Sequence, residues 1–263
     1  MNQINNQNES LMVVPNLNQQ KKVHKSLIIG LGGTGHKVAF EIKKQLYRLY
    51  GEIPSSISFL VIDTHKAQLN EKTDTYSYSY GGKKHTASIA FRDGHETILL
   101  KKENFLDIIK GGNNEDFKQF CPDDVTNNIR GLSGAATGAG GVRIYGHMCA
   151  SVNYNSITNR IKDAVNDLRS VEDTNANYKI SDPDTVYFYF IGSLAGGTGS
   201  GTMWVANEIV HQVKENNDPI MGFFLTGDYF KGKPATDNVM ANTYATLLEI
   251  DYMMRNDSYS SVY

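Results

Sequence analysis

Two glycine-rich segments have the residue types and spacing that bind phosphate groups. The first is Gly30-Leu31-Gly32-Gly33-Thr34-Gly35, which fits the pattern G-x-G-x-x-G. The second is Ala195-Gly196-Gly197-Thr198-Gly199-Ser200-Gly201, which adds two hydroxyl groups to four glycines. Small residues let the backbone approach a polyphosphate, so that successive amides and the threonine and serine hydroxyls can donate to its oxygens. No lysine follows the last glycine, so the second segment is not a Walker A loop.

A carboxylate and a third glycine-rich stretch complete the candidate chemistry. Asp63 closes an apolar run, where it can meet a ribose hydroxyl or a hydrated metal ion. It lies 28 residues after Gly35, beyond the spacing of about 20 that is usual in dinucleotide sites. The stretch from Gly131 to Gly141 carries five glycines and is predicted to be a loop that something can approach closely.

Apolar runs and helical periodicities predict the elements that position these segments. Ser26 to Ile29 and Ile57 to Ile62 are typical of buried parallel strands, and Thr34 to Tyr50 has helical spacing between them. Together they predict a right-handed strand–helix–strand unit.

A second unit of the same kind is predicted in the C-terminal half. Its strands are Val186 to Ile191 and Pro219 to Leu225, both expected to be buried, and its helix is Met203 to Lys214. Further helices are predicted at 142–171, with breaks at Gly146 or 153–155, and at 237–254. The order predicts a doubly wound α/β fold, with a mostly parallel sheet and helices on both faces.

The remaining segments are less regular. Residues 71–100 are predicted to be a small β insertion or an edge element, in which two-residue turns at Gly81-Gly82 and Asp93-Gly94 join strands as a hairpin or a small meander. Short helical pieces are predicted at 103–110 and 115–120. Residues 1–22 are rich in Asn and Gln and are expected to form a disordered tail before a domain at 23–263.

Composition excludes several classes of function. The 263 residues carry 26 Lys and Arg against 28 Asp and Glu, so the net charge of −2 gives no reason to expect nucleic acid. Cys121 and Cys149 match no disulfide framework or metal motif, and the seven histidines form no zinc pair. Without a signal peptide or a membrane-length apolar run, the chain is expected to be cytoplasmic.

The segment Ala195 to Gly201 matches the tubulin and FtsZ signature [SAG]-G-G-T-G-[SA]-G at every position. The resemblance extends over residues 26 to about 255. Residues 30–35 resemble the family's first nucleotide loop, 61–64 its second and 138–143 its third, while 223–234 would be the fifth, near the ribose. Residues 242–251 are similar to a helix of a bacterial tubulin-like group.

The resemblance implies a site for GTP or GDP with Mg²⁺, the metal held through water near Asp63. It implies that the third loop contacts the terminal phosphate, with Arg143 opening the next helix, and that Asn242 lies near the base. The cofactor-binding residues expected on these grounds are Gly32, Gly33, Thr34, Gly35, Asp63, Gly138, Ala139, Gly140, Gly141, Arg143, Gly196, Gly197, Thr198, Gly199, Ser200, Gly201 and Asn242.

The resemblance also implies head-to-tail self-association into filaments. Hydrolysis in the family uses carboxylates from a loop that follows a long central helix, before a second domain, and no segment after Asp251 fits that loop. The sequence is therefore expected to be a fragment, or to bind nucleotide without hydrolysing it, and no catalytic residue is assigned. The chain would be a GTPase if the complete protein polymerises.

Two alternatives stay open at this stage. An NAD(P)-dependent oxidoreductase would use residues 30–35 and Asp63 but leaves the second glycine-rich segment unexplained. A nucleotide-binding scaffold that lost hydrolysis fits the absence of the acidic loop.

Overall fold

The computed structural model describes residues 21–69, 75–100, 138–174, 177–232 and 238–256. The predicted helical pieces at 103–110 and 115–120, and residues 131–137 of the glycine-rich stretch 131–141, lie outside these ranges. Most of the predicted tail does too. Its last two positions, Lys21 and Lys22, instead begin the first strand.

The described residues form strands and helices in alternation. The strands are β1 (Lys21–Leu31), β2 (Ile57–Asp63), β3 (Tyr76–Tyr80), β4 (Lys83–Ala87), β5 (Thr97–Leu99), β6 (Tyr178–Ser193) and β7 (Ile220–Leu225). The helices are α1 (Gly32–Tyr50), α2 (Lys66–Leu69), α3 (Arg143–Val152), α4 (Tyr154–Ser170), α5 (Gly197–Val213) and α6 (Val239–Asn256), with a 3₁₀ turn at Gly227–Phe230.

The main sheet has the order β5-β2-β1-β6-β7 and all its pairings are parallel. Alternate residues of β1 face opposite sides. Leu27 and Ile29 enter the larger core with residues of α3, α4 and α5, whereas Ile28 packs in a second core with Ala39 and Leu46 of α1. Helices therefore cover both faces, which confirms the predicted doubly wound α/β fold.

The predicted insertion contains one hairpin. β3 and β4 pair antiparallel around Gly81-Gly82, as predicted. The alternative of a meander through Asp93-Gly94 was wrong, because β5 pairs in parallel with β2, and β5 is instead an edge element of the main sheet. A turn signal gives the local reversal of the chain and leaves open which strand is the next partner.

Three predicted elements have different limits or burial. The predicted helix at 142–171 divides at Asn153, and Gly146 does not break it. Helix α5 begins at Gly197 instead of Met203, so most of the second glycine-rich segment is helical. Strand β7 is only half-buried, and Phe223 is 58% exposed, because β7 is an edge of the sheet within the described residues.

Across the described ranges, every helix is too short or too polar to traverse a lipid bilayer.

Candidate functional site

A cavity of about 660 Å³ lies at the carboxyl ends of four neighbouring strands. The last residues of β2, β1, β6 and β7 all line it, namely Asp63, Leu31, Ser193 and Leu225. This edge of a parallel sheet is where open α/β folds bind their ligands. The two glycine-rich segments and the third loop meet here.

The first and second glycine-rich segments touch each other in the cavity. Gly32 has φ +66°, and a Cβ at this position would lie 3.1 Å from the amide nitrogen of Gly199 and 3.3 Å from Cβ of Thr198. The second loop joins the contact, because the hydroxyls of Thr64 and Thr198 are 2.7 Å apart. Three segments that are distant in sequence thus surround one space.

Two helices begin at the cavity with their amide groups uncapped. Helix α1 starts at Gly32 and α5 at Gly197, and both residues line the cavity. Neither N-cap residue, Leu31 or Gly196, makes a side-chain capping hydrogen bond, and neither first turn contains an acidic residue. The first N–H groups and the positive ends of two helix dipoles are therefore available to an anion at one place.

The third loop supplies further backbone to the same cavity. Gly138, Gly140 and Gly141 have φ values of +77°, +57° and +77°, a conformation that glycine adopts without strain. These three glycines and Ala139 line the cavity. The amide of Val142 donates to the carbonyl of Ala139 at 2.9 Å, which closes the loop just before α3.

Asp63 is a buried carboxylate, one oxygen of which has no hydrogen-bond partner among the residues that the structure describes. Its side chain lines the cavity although the residue is only 1% exposed. Its Oδ1 accepts a hydrogen bond from the amide of His65 at 3.1 Å, whereas no described residue donates a hydrogen bond to Oδ2. Burial raises the pKa of Asp63, and hydrogen bonds from the amides of His65 and Thr64 and from the Thr198 hydroxyl oppose this in part. A cation or a water bound to a cation would satisfy Oδ2.

Five of the expected cofactor-binding residues do not line the cavity. They are Gly35, Arg143, Ser200, Gly201 and Asn242. At Gly35 a Cβ would lie 2.5 Å from the carbonyl oxygen of Ile191, so this glycine permits helix–strand contact. The hydroxyl of Ser200 donates to the carbonyl of Gly196 in its own helix.

Gly201 and Arg143 belong to the contact between α3 and α5. A Cβ at Gly201 would lie 2.2 Å from the carbonyl oxygen of Arg143. The guanidinium of Arg143 forms an ion pair with Glu249 of α6. The carboxylate of Glu249 also accepts a hydrogen bond from Nε1 of Trp204 at 2.6 Å. Arg143 is thus engaged outside the cavity.

Other residues line the cavity that sequence reasoning did not single out. Lys37 and Val38 follow Gly33 and Thr34 by one helical turn, and this i, i+4 spacing could have indicated them. Tyr229 and Phe230 lie within the predicted fifth loop, with ring centroids 5.1 Å apart at a near-perpendicular angle. They give the β7 side of the cavity an aromatic wall.

The described residues contain no cluster of three or more His, Cys, Asp or Glu side chains that could hold a metal ion. Any metal at this cavity would therefore need ligands from the bound molecule or from water besides Asp63.

A family model described as "Tubulin like" matches residues 27–263. Comparison with curated proteins finds no significant match. Among solved structures, the chain is similar to CetZ1 from Haloferax volcanii, described as a GDP-bound monomer, with a TM-score of 0.48 and 17% identity. The alignment covers 86% of this chain and 48% of that one.

Two further structures show the same degree of similarity. An FtsZ from M. jannaschii has a TM-score of 0.44 and 17% identity over 89% of this chain and 44% of its own. CetZ2 from Haloferax volcanii, described as a GTPγS-bound protofilament, has a TM-score of 0.42 and 13% identity, with 90% and 60% coverage. The chain thus spans about half the length of these structures.

Proposed function

The chain belongs to the tubulin-like family, and we propose that it binds a guanine nucleotide in the cavity at the carboxyl edge of the sheet. One observation carries the proposal. Two uncapped helix N-termini, at Gly32 and Gly197, face the same cavity and touch through Gly32 and Gly199. Such an arrangement attracts a polyphosphate more strongly than either terminus alone. The guanine base is the part of the proposal that rests on family membership.

The order of the strands supports an orientation for the nucleotide. Asp63 ends β2 and Leu225 ends β7, with β1 and β6 between them. Three strand spacings make roughly 15 Å, a length comparable with that of an extended nucleoside triphosphate. The phosphates would lie over the glycine-rich turns in the centre and towards Asp63. The ribose and base would lie towards Tyr229 and Phe230.

Mg²⁺ belongs to the proposal because the chemistry of Asp63 fits it. A hard cation prefers oxygen ligands and keeps several waters, and Oδ2 of Asp63 is a buried oxygen with no described partner. Asp63 and the hydroxyls of Thr64 and Thr198 would hold the hydrated ion against the phosphates. The metal would neutralise phosphate charge there.

Assembly and hydrolysis are proposed at the level of the family. The protein would associate head to tail, and a neighbouring subunit would supply the groups that activate water. The described residues place one carboxylate in the cavity, Asp63, whose proposed role is to hold the metal.

We expect the purified chain to bind GTP more tightly than ATP or NAD. Thr198→Ala should weaken GTP binding by about tenfold, because it removes the hydroxyl that bridges Thr64 to the cavity. Equilibrium dialysis or calorimetry with the three nucleotides measures both effects. Thr86→Ala, on the exposed strand β4, is the control and should bind as the unmodified chain does. Equal affinity for GTP and NAD, unaffected by Thr198→Ala, would contradict the proposal.

We expect Asp63→Asn to remove the effect of Mg²⁺ on GTP affinity while leaving the ligand-free protein at least as stable. Because the pKa of Asp63 is raised above 3.8, the folded state holds its proton more tightly than the unfolded state. Stability is therefore lost as pH rises through the folded pKa, and asparagine escapes this loss.

Two measurements check this result. Melting curves without ligand at neutral pH should show no decrease in the melting temperature of Asp63→Asn. In GTP titrations, the affinity of the variant should be the same with Mg²⁺ as with EDTA, whereas the affinity of the unmodified chain should differ between the two. An undiminished Mg²⁺ effect in the variant would show that the carboxylate does not hold the metal.

A further inference from the structure

We infer that Asn242 is a positioning residue that fixes the distance between the third loop and the second glycine-rich turn; this inference rests on the proposed function. Its amide nitrogen, Nδ2, donates to the carbonyl of Gly141 at 2.7 Å and to the carbonyl of Ala195 at 2.9 Å. The residue is 8% exposed and lies outside the cavity lining. Its donor group thus acts on the backbone around the cavity.

The chemistry of the two partners fixes the orientation of the amide. Both are carbonyl oxygens, which only accept hydrogen bonds, so the NH₂ group must face them instead of the side-chain oxygen. Two acceptors that share one NH₂ group lie about 5 Å apart. One side chain thus sets the separation of two backbone segments that are 54 residues apart in sequence.

Each carbonyl belongs to a segment that lines the cavity. Gly141 belongs to the third loop, and Ala195 precedes Gly196, the N-cap of α5. A shift of either carbonyl would break a hydrogen bond of the buried Asn242 side chain, and a buried donor without a partner is costly. Asn242 therefore holds the two turns at a separation set before a ligand arrives, which lowers the ordering cost of binding.

The helix that carries Asn242 is itself anchored to the same elements. Glu249 lies seven residues later, two helical turns along the same face of α6. Its carboxylate accepts hydrogen bonds from the guanidinium of Arg143 in α3 and from Nε1 of Trp204 in α5. Helix α6 is thus attached twice to α3 and α5, so Asn242 has a fixed base from which to hold the turns.

Asn242→Asp provides the sharpest test, because it keeps the shape and exchanges the donor for an acceptor. We expect it to weaken GTP binding by about tenfold or more. In the ligand-free protein, the amides of 139–142 and 195–199 should exchange hydrogen faster. The matched control is Thr246→Val, which removes a buried hydroxyl that donates to the carbonyl of Asn242 at 2.7 Å within α6 and leaves both turns untouched.

Trp204 is the single tryptophan of the chain, and its fluorescence reports whether α6 stays docked. The expected result for Asn242→Asp is unchanged tryptophan emission and weaker GTP binding. Hydrogen exchange should be faster in the two turns alone. A red-shifted emission with exchange raised along all of α6 would overturn the inference in favour of a general structural role. Unchanged exchange in the turns would also overturn it.

The exchange comparison separates this inference from the proposed function. If the unmodified chain fails to bind GTP, the proposed function is wrong. The exchange of the ligand-free turns in Asn242→Asp and Thr246→Val still decides whether Asn242 holds them together.

Discussion

Gly201→Ala should unfold the domain under conditions in which Gly196→Val stays folded and loses nucleotide binding. The two glycines belong to the same segment and differ in what surrounds them. At Gly201 a Cβ would lie 2.2 Å from the carbonyl oxygen of Arg143 and 2.7 Å from the amide nitrogen of His147. Both are backbone atoms of α3, so no side-chain rotation relieves the clash.

The expected cost of Gly201→Ala is about 3 kcal/mol or more in the free energy of unfolding, which is at the upper end for overpacked sites. Alanine inside a helix normally gains about 1 kcal/mol over glycine, so a measured loss isolates the effect of the α3–α5 contact. Urea denaturation followed by circular dichroism measures it. An alanine variant as stable as the unmodified chain would show that the two helices are farther apart than described.

Gly196 meets the opposite situation. Its backbone is extended, with φ −87° and ψ 160°, and no heavy atom lies within 4 Å of a Cβ placed there. Valine adopts this conformation readily. It is a poorer N-cap residue than glycine, which lowers the free energy of unfolding by about 1 kcal/mol. The added side chain would occupy space beside the helix N-terminus that the proposed phosphates need. GTP affinity should fall by about a hundredfold or more.

Calorimetry with GTP tests Gly196→Val at a temperature where its folding is confirmed by circular dichroism. Gly201→Ala is its comparison for folding. If Gly196→Val binds GTP as tightly as the unmodified chain, the nucleotide does not lie over this turn, and the proposed site is wrong.

Glu96→Gln should lower the free energy of unfolding by about 3–5 kcal/mol at neutral pH, with a smaller loss at higher pH. Nζ of Lys43 lies 3.0 and 2.9 Å from the two oxygens of Glu96. The side chain of Lys43 is 3% exposed and that of Glu96 is 11% exposed. Glutamine keeps the shape of glutamate but leaves a buried cation without its counter-charge.

The pH dependence follows from the pKa of Lys43. Burial lowers this pKa from 10.5, and Glu96 opposes the change, so removing the carboxylate lowers it further. Between the pKa of Lys43 in the folded state and its unfolded value of 10.5, the unfolded state binds more protons than the folded state. Stability therefore rises with pH across this window, and the variant recovers part of its loss.

Urea denaturation of Glu96→Gln at neutral pH and near pH 10 measures the recovery. The double variant Lys43→Met with Glu96→Gln, which removes the buried cation, should be much less destabilised and lack this pH dependence. A loss in Glu96→Gln that is constant across this range would show that Lys43 is solvated.

The parallel core was predictable because its signal is local and repeated. β1, α1 and β2 differ from their predicted limits by a few residues, and Gly51 ends α1 with φ +80°, as expected of a glycine after a helix. The start of α5 was not predictable from propensity, since three glycines within five residues disfavour a helix. Two of them have no room for a Cβ, because Gly197 packs against Ala139 and Val142 and Gly201 packs against the backbone of α3.

The convergence of the glycine-rich segments was predictable, whereas the partners of single side chains were not. The two segments end neighbouring parallel strands, so strand order alone brings them together. Arg143 is attached to Glu249, 106 positions away, and no local pattern contains this pairing. The partial exposure of β7 was missed for a similar reason, since an apolar run does not show whether the edge of a sheet is covered.

The hairpin of β3 and β4 offers a position at which a label or a tag can be inserted. It packs against the far end of α1, where the hydroxyl of Tyr78 donates to the carbonyl of Gly51, about 28 Å along the helix from Gly32. Its tip, Gly81-Gly82, has open space around both residues. A fluorescent label or a small tag inserted there would lie near the end of α1 opposite the cavity, so that the protein could be followed by microscopy with its ligand site intact.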